Sequence, residues 1–435
     1  MLTYQDFRKA ADRPAFIRRA VDEHRRSEAV QTALTADEYD RQRNTTIGTY
    51  VKKLFTLSGA PLRDFTASNM RVASNFFHRL NTQRCAYSLG NGVSFSDPGT
   101  KRRLGPEFDT ALKRLGYAAL IHGVAFGFWN LDRLHVFRLT EFCPLWDEVT
   151  GALRAGIRFW QLSDDKPEQA VLYEADGYTC LRAGYAGGRF EPSGPRQAYK
   201  RRYRLHPRDG ERLVGEENWS RLPIIPLWGS GLRQSTQEGM RQAIDSYDLI
   251  QSGFANDLSD CAMVYWIIEN CGGMTAQELQ RFRDQLRFAH IAAADTDDGG
   301  RVSPFTQEIP FQARQAYLDH MRSGIYEAFG AMDVHAVAAG STNDHIEAAY
   351  QPMDEEADDF EYQVIAFVQV LLALMGIEDT PVFKRNRVSN AAEQADMVLR
   401  EAPYLDRRTV LEKLPNITVD EVENIMKRGE RRLDG

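Results

Sequence analysis

The chain has 435 residues, 43% hydrophobic and 26% charged, which places it in the globular range and excludes a disordered or fibrous protein. A formal net charge of −7 excludes a protein that grips nucleic acid by neutralising phosphates over a strongly basic face. The five cysteines, Cys85, Cys143, Cys180, Cys261 and Cys271, include no CxxC pair; neither a disulfide framework nor a zinc site is expected, and they read as reduced, structural residues of a cytosolic setting.

Residues 1–42 are charged and helix-favouring, with a broken apolar stripe of Phe7, Ala11, Ile17 and Val21, which predicts a peripheral helical arm. The first residues lack the apolar core of a secretory signal, and the longest apolar run, 364–375, falls short of the roughly 20 residues that cross a bilayer. No membrane partner is expected. Residues 68–89 combine Met70, Val72, Phe76, Phe77, Leu80 and Tyr87 with few breakers, which predicts one long helix ending at Gly90 and Gly92. A second helix is predicted over 107–122.

Between 135 and 227 the pattern changes to short runs such as 157–160, 170–173 and 178–181, separated by turn residues. An antiparallel β region is expected there. Asp176-Gly177 and Gly187-Gly188 are hairpin-turn candidates because glycine accepts positive φ. Pro223 and Pro226 exclude 222–227 from a central strand.

After Gly231 the residues Met240, Ala243, Tyr247, Ile250, Phe254 and Leu258 recur at three or four, which predicts a helix of about 25 residues with an apolar stripe. A mixed unit follows. It contains a β-favouring run at 263–268, a capping box of Thr275 with Glu278, and a strand-like pair flanking Asp297-Asp298-Gly299-Gly300. A second long helix is predicted from Phe311, with Leu318, Met321, Ile325 and Phe329 on one face. Residues 334–352 show neither period and are rich in small and polar residues; a loop of this length in a compact protein marks function. The acids of 354–361 suit the first turns of a helix that runs on to 375. Two more helical patterns occupy 390–401 and 419–431.

Motifs for chemistry are missing. No Gly-Lys dipeptide occurs, which excludes a phosphate-cradling GxxxxGK[ST] motor, and neither HExxH nor GxSxG is present. Gly90-Asn91-Gly92 follows a helical pattern, so it reads as a helix cap, not a dinucleotide loop. Asp295 begins a calcium-loop-like stretch, but Gly299 and Thr306 stand where ligands are required, leaving a β-turn. His335 and His345 share the long loop without companion metal ligands. Tyr199-Lys200-Arg201-Arg202-Tyr203-Arg204 interleaves aromatic and basic residues as single-strand binders do; a solvated strand paired with acids is the better reading.

The order of these parts resembles the portal (head-to-tail connector) proteins of long-tailed bacteriophages. The resemblance is carried by Tyr39-Asp40-Arg41-Gln42-Arg43-Asn44-Thr45-Thr46-Ile47 and by residues 69–77 leading through Gln83 to Tyr87-Ser88-Leu89-Gly90-Asn91-Gly92. It continues in Ile224-Ile225-Pro226-Leu227, in residues 244–252 with Asn256-Asp257-Leu258, and in the segments 408–411, 414–416 and 419–421.

The resemblance implies an α+β, mainly helical fold: an arm (1–45), a wing (46–230), a first stem helix (231–258) and a clip (259–310). A second stem helix (311–333), a tunnel loop (334–353), a tunnel helix (354–375) and a crown (376–435) would complete it. The function implied is a non-enzymatic ring of about twelve subunits, without cofactors, at a capsid vertex of the virion, assembled in the host cytoplasm. The implied partners are further copies of the chain, DNA in transit, the packaging terminase, a head-completion or adaptor protein, and the major capsid and scaffold proteins. His335, Ser341, Thr342, Asn343, Asp344 and His345 would line the channel, and Asp295, Asp297, Asp298 and Gly299 would meet the tail side. Gly340-Ser341-Thr342-Asn343-Asp344-His345 departs from the family's Ser-Gly-x-Ala-Leu stretch. Competing readings are a minor head protein without a channel and a metal-dependent hydrolase using His345 and the acids near Asp354.

Overall fold

A computed structural model describes residues 2–51, 53–55, 59–63, 68–185, 187–206, 210–261, 265–269, 301–305, 310–333, 343–386 and 398–414, with isolated positions at 275, 277–278, 280–281, 395, 422 and 425–426. The chain divides into two units: residues 1–41, 76–240 and 326–435 form the first, and 42–75 with 241–325 form the second.

In the first unit, α1 (Tyr4–Lys9), α2 (Arg13–Arg26) and α3 (Glu28–Asp40) lead. Thr3 and Asp12 cap the first two through their side chains. They are not a peripheral arm. Phe7, Phe16, Ile17 and Val21 are buried against Leu145, Ile157, Leu172 and Leu181, because the stripe, broken when read as one helix, is continuous when split over two. Those partners belong to a five-stranded antiparallel sheet of β6 (Phe142–Trp146), β7 (Leu153–Trp160), β8 (Gln169–Glu174), β9 (Gly177–Ala183) and β10 (Phe190–Pro192) in simple meander order. Arg18 crosses from α2 to Glu168 at 2.8 Å, both side chains nearly buried.

A second sheet has the order β13-β4-β5, from Ile224–Trp228, Val124–Asn130 and Arg133–Arg138. Sequence pattern starts the β region at 135, but it begins at Val124. The run of β4 is apolar on both faces, as a doubly covered strand requires, so it shows no alternation. Phe126 meets Phe142 with centroids 4.5 Å apart, in a core shared with Phe137, Tyr173 and Ile224. Ala125, Trp129, Ile225 and Leu227 line the opposite face. There they meet α5 (Phe76–Leu89), α7 (Phe108–His122) and α10 (Asn343–Leu374) through Leu115, Phe360, Phe367 and Leu371. A Cβ on Gly127 would stand 2.5 Å from Phe367 Cζ, so only glycine admits that ring. β13 lies at the sheet edge, where the N–H missing from Pro226 does no harm.

Two further expectations are corrected in this unit. The helix predicted from 354 begins at Asn343 and carries Pro352 within it; proline and small residues masked a helical pattern whose buried positions, Tyr350, Met353 and Ala357, keep the period. Thus 343–353 is helix, not loop, while 334–342 lies outside the described residues. Beyond α10, β16 (Val382–Phe383) pairs with β3 (Val93–Ser94).

In the second unit, α8 spans Arg241–Cys261, shorter than predicted because 231–240 forms turns with Arg233 and Gly239 at positive φ. Its buried face is the larger correction. Phe254 of the predicted stripe is buried and Leu258 is 48% exposed, while the unpredicted Asp248, Ser252 and Asn256 are 0%, 1% and 5% exposed. Residues 68–75, predicted as helix, carry no regular secondary structure and lie along that face. Met70 N–H donates to Asn256 Oδ1, whose amide returns a bond to the Met70 carbonyl at 3.2 Å. Val72 N–H donates to Ser252 Oγ, and Ser74 N–H to Asp248 Oδ1, each at 2.9 Å. Two residues of extended chain rise about 6.6 Å and four helical residues about 6.0 Å, so alternate amides meet every fourth side chain. This contact groups 42–75 with 241–325 in the second unit.

The amide of Asn44 donates to Asp248 Oδ2 and to the Ser74 carbonyl, and Thr46 donates to Asp245 at 2.7 Å. Elsewhere in the unit, Phe254 packs on Phe311 at the start of α9 (Phe311–Phe329), with centroids 5.4 Å apart. β14 (Tyr265–Glu269) pairs with β15 (Arg301–Phe305). Thr275 N–H and Oγ both donate to Glu278 at 2.8 Å, as the capping box predicts.

Burial holds the Asp248 carboxyl above its ordinary value of 3.8, against the hydrogen bonds from Asn44 and Ser74. Its ionisation therefore opposes folding: that cost is absent below the unfolded value and grows as pH rises through the native one. We expect Asp248→Asn to flatten the pH dependence of the urea midpoint above the ordinary carboxyl value. Asp248→Ala, which strands the Ser74 and Asn44 donors, should lower stability by about 2 kcal/mol and speed exchange of the Ser74 amide.

Candidate functional site

Of the predicted channel residues, Asn343, Asp344 and His345 open the first turn of α10. His335, Ser341 and Thr342, and the tail-side candidates Asp295, Asp297, Asp298 and Gly299, lie outside the described residues.

Farther along α10, the acids that would serve a hydrolase are committed elsewhere. Arg385 donates to Asp354 at 2.8 Å, to Glu361 at 2.9 and 3.1 Å, and to Asp358. Tyr87 adds its hydroxyl to Asp354 at 2.6 Å, and Glu356 pairs with Arg84 at 3.0 Å. The bonds to Glu361, foremost, drive the Arg385 guanidinium above its already high pKa. Such carboxylates have their lone pairs directed at a fixed cation, and among the described residues no three His, Cys, Asp or Glu side chains converge on a point suited to a metal. Burial pushes the Cys85 and Cys143 thiols up to about 12, which makes both poor nucleophiles.

The aromatic-basic strand becomes β11 (Lys200–His206), paired with β12 (Gly210–Glu217). Arg202 meets Glu217 at 2.9 Å, Arg201 faces Glu216 across the ladder, and Lys200 lies 3.5 Å over the Trp219 ring. The solvated, acid-paired strand is what forms.

A feature that sequence reading missed is a groove of about 1470 Å³ in the first unit, walled by α5, α6 (Pro98–Leu104), α7 and β5. Six lysine and arginine side chains line it against three carboxylates. The available signal was two basic clusters, Lys101-Arg102-Arg103 and Lys113-Arg114, in a chain whose balance is acidic.

The fold thus offers helices, sheets, an arginine-clamped acidic helix and a basic groove over most of the chain's length. The family model described as phage portal protein, SPP1 Gp6-like, matches residues 34–434. The chain belongs to this family. The portal protein of Clostridium phage phiCD119 is 23% identical over 411 residues, covering 84% of this chain and 85% of that protein. The portal protein of Bacillus phage SPP1 is 23% identical over 421 residues, covering 87% and 78%. Phage portal proteins are structural components of the virion, and no helix among the described residues is long and apolar enough to cross a membrane.

The Arg385 clamp has a direct test. Arg385→Met leaves Asp354, Asp358 and Glu361 facing one another, and should lower stability by about 3 kcal/mol at neutral pH. The deficit should shrink as pH falls and the carboxylates take up protons, as measured by thermal melts of variant and wild type from about pH 7 to 4.

Proposed function

We propose that this chain is one subunit of an oligomeric ring at a capsid vertex, the channel through which double-stranded DNA is packaged and ejected. The ring is also the platform on which the packaging terminase and a head-completion or adaptor protein dock, beside the major capsid and scaffold proteins. The observation that carries this reading is the family match, which runs through both structural units.

In this reading the first unit supplies the wing, with α10 as the tunnel helix. The second supplies the stem from α8 and most of α9, and the clip from the β14–β15 ribbon. The segment from 376 leads to the crown. His335, Ser341, Thr342, Asn343, Asp344 and His345 face the channel at its narrowest point, and Asp295, Asp297, Asp298 and Gly299 contact the tail side. The protein acts as a passive conduit without catalysis. A chain of net charge −7, repeated around a ring, gives a lumen that opposes phosphate adhesion and lets DNA slide.

Negative-stain images of the purified protein should show closed rings of about a dozen subunits with a central hole; uniform monomers or solid particles would sink the proposal. Deleting residues 338–342 should leave the rings intact and reduce DNA packaging or retention in complementation assays. Normal packaging by that variant would remove the channel role from this segment.

A further inference from the structure

The basic groove beside β5 has an apolar floor of Leu104, Phe108, Ala118 and Leu134. On its rim, Arg102, Lys113 and Arg114 are exposed and form no ion pair among the described residues, and Arg133 pairs only with its sequence neighbour Asp132. At about 1470 Å³ it exceeds the roughly 300–1,000 Å³ of a small-molecule pocket. Unpaired cations over an apolar floor suit an acidic protein surface better than a phosphate chain. Glu107, Asp132 and Glu141 share the lining and would meet the closely spaced charges of nucleic acid wherever it lay.

The same unit carries a matching surface. Along α10, Glu347, Gln351, Glu355, Asp358 and Tyr362 recur at three or four and are exposed, which places them on one outer face. Glu347 and Glu355 have no ion-pair partner among the described residues, and Tyr362 is 69% exposed. The stripe is about 22 Å long at 1.5 Å per residue. Glu347 and Glu355 supply carboxylates for the rim, Asp358 being held by Arg385, and Tyr362 an aromatic ring for the floor.

Sheet order separates the two surfaces. α10 packs over β13 and the groove follows β5, and these are the opposite edges of the sheet β13-β4-β5. Two complementary surfaces at opposite edges of one sheet are what a head-to-tail contact that closes into a ring requires.

We infer that the basic groove of one copy seats the acidic outer face of α10 from the next copy. The inference rests on the ring reading and names the surfaces that hold the ring.

A charge swap tests it, read by mass photometry at low ionic strength. One variant carries Lys113→Glu and Arg114→Glu; the other carries Glu347→Lys and Glu355→Lys. All four positions are exposed, and thermal melts check that each variant folds. Each alone should lose at least tenfold of its ring fraction, and an equimolar mixture should recover it, because each altered surface then finds its complement. Lys113→Gln with Arg114→Gln serves if the reversal impairs folding, with a smaller loss expected. If either reversed variant assembles like wild type, the inference fails and the ring reading stands. Loss without recovery in the mixture overturns α10 as the occupant. A wild type that stays monomeric overturns both readings. Binding of a fluorescent oligonucleotide that Lys113→Glu with Arg114→Glu abolishes, with assembly unchanged, assigns the groove to nucleic acid instead.

Discussion

A helix that buries a polar face must satisfy it, and α8 does so with the backbone of another segment. Asp248, Ser252 and Asn256 would each strand buried donors or acceptors, at about 1–3 kcal/mol apiece, were residues 70–74 to leave. Those residues in turn have no sheet to take their amides. Each side supplies what the other lacks, and the register is fixed because only a two-residue step against a four-residue step keeps both in phase. The arrangement draws 42–75 into the second unit and shortens the predicted helix at 68–89 to α5. Asn44, reaching both Asp248 and the Ser74 carbonyl, closes the ladder at one end.

The first unit depends on apolar layering instead. β4 has both faces covered, with aromatic rings on one and helices on the other. Gly127 lets Phe367 approach closely enough to set α10 on the sheet. Arg385 then fixes the acidic part of that helix by a charge-assisted network around one guanidinium, a stronger tether than isolated surface pairs. The cluster that composition presents as a possible metal site is therefore a structural joint.

Legibility followed the physics of each element. α7 and α9 bury one ordinary face whose period is plain in the sequence, and the meander strands show as short apolar runs bounded by turn residues. The capping box at Thr275 is equally local, requiring only two side chains and two amides. The failures share another cause. Residues 68–75 look helical because their apolar residues are frequent, but their conformation is set by side chains more than 170 positions away. α8 shows an apolar stripe whose Phe254 does pack on Phe311, but its polar face finds a second partner that no local pattern announces. The first turns of α10 were hidden by Pro352 and by small residues whose burial is visible only in three dimensions. The groove joins two basic clusters that no local pattern connects. Family membership was legible because it lies in the order of many weak segments, which survives at 23% identity.

In the proposed ring, charge placement would link conduction to assembly. A lumen that passes DNA must hold phosphate weakly, and a net acidic chain does so. The same acidity works against association, since identical copies repel unless their surfaces are complementary where they meet. Cations in a groove at the β5 edge and carboxylates along α10 at the β13 edge would meet both demands in the proposed ring. Under the proposed contact the acidic excess would remain on the molecule, and the attractive contacts would fall between copies. A charged contact of this kind contributes more to orientation and register than to affinity, and a ring of fixed subunit number requires correct orientation above all.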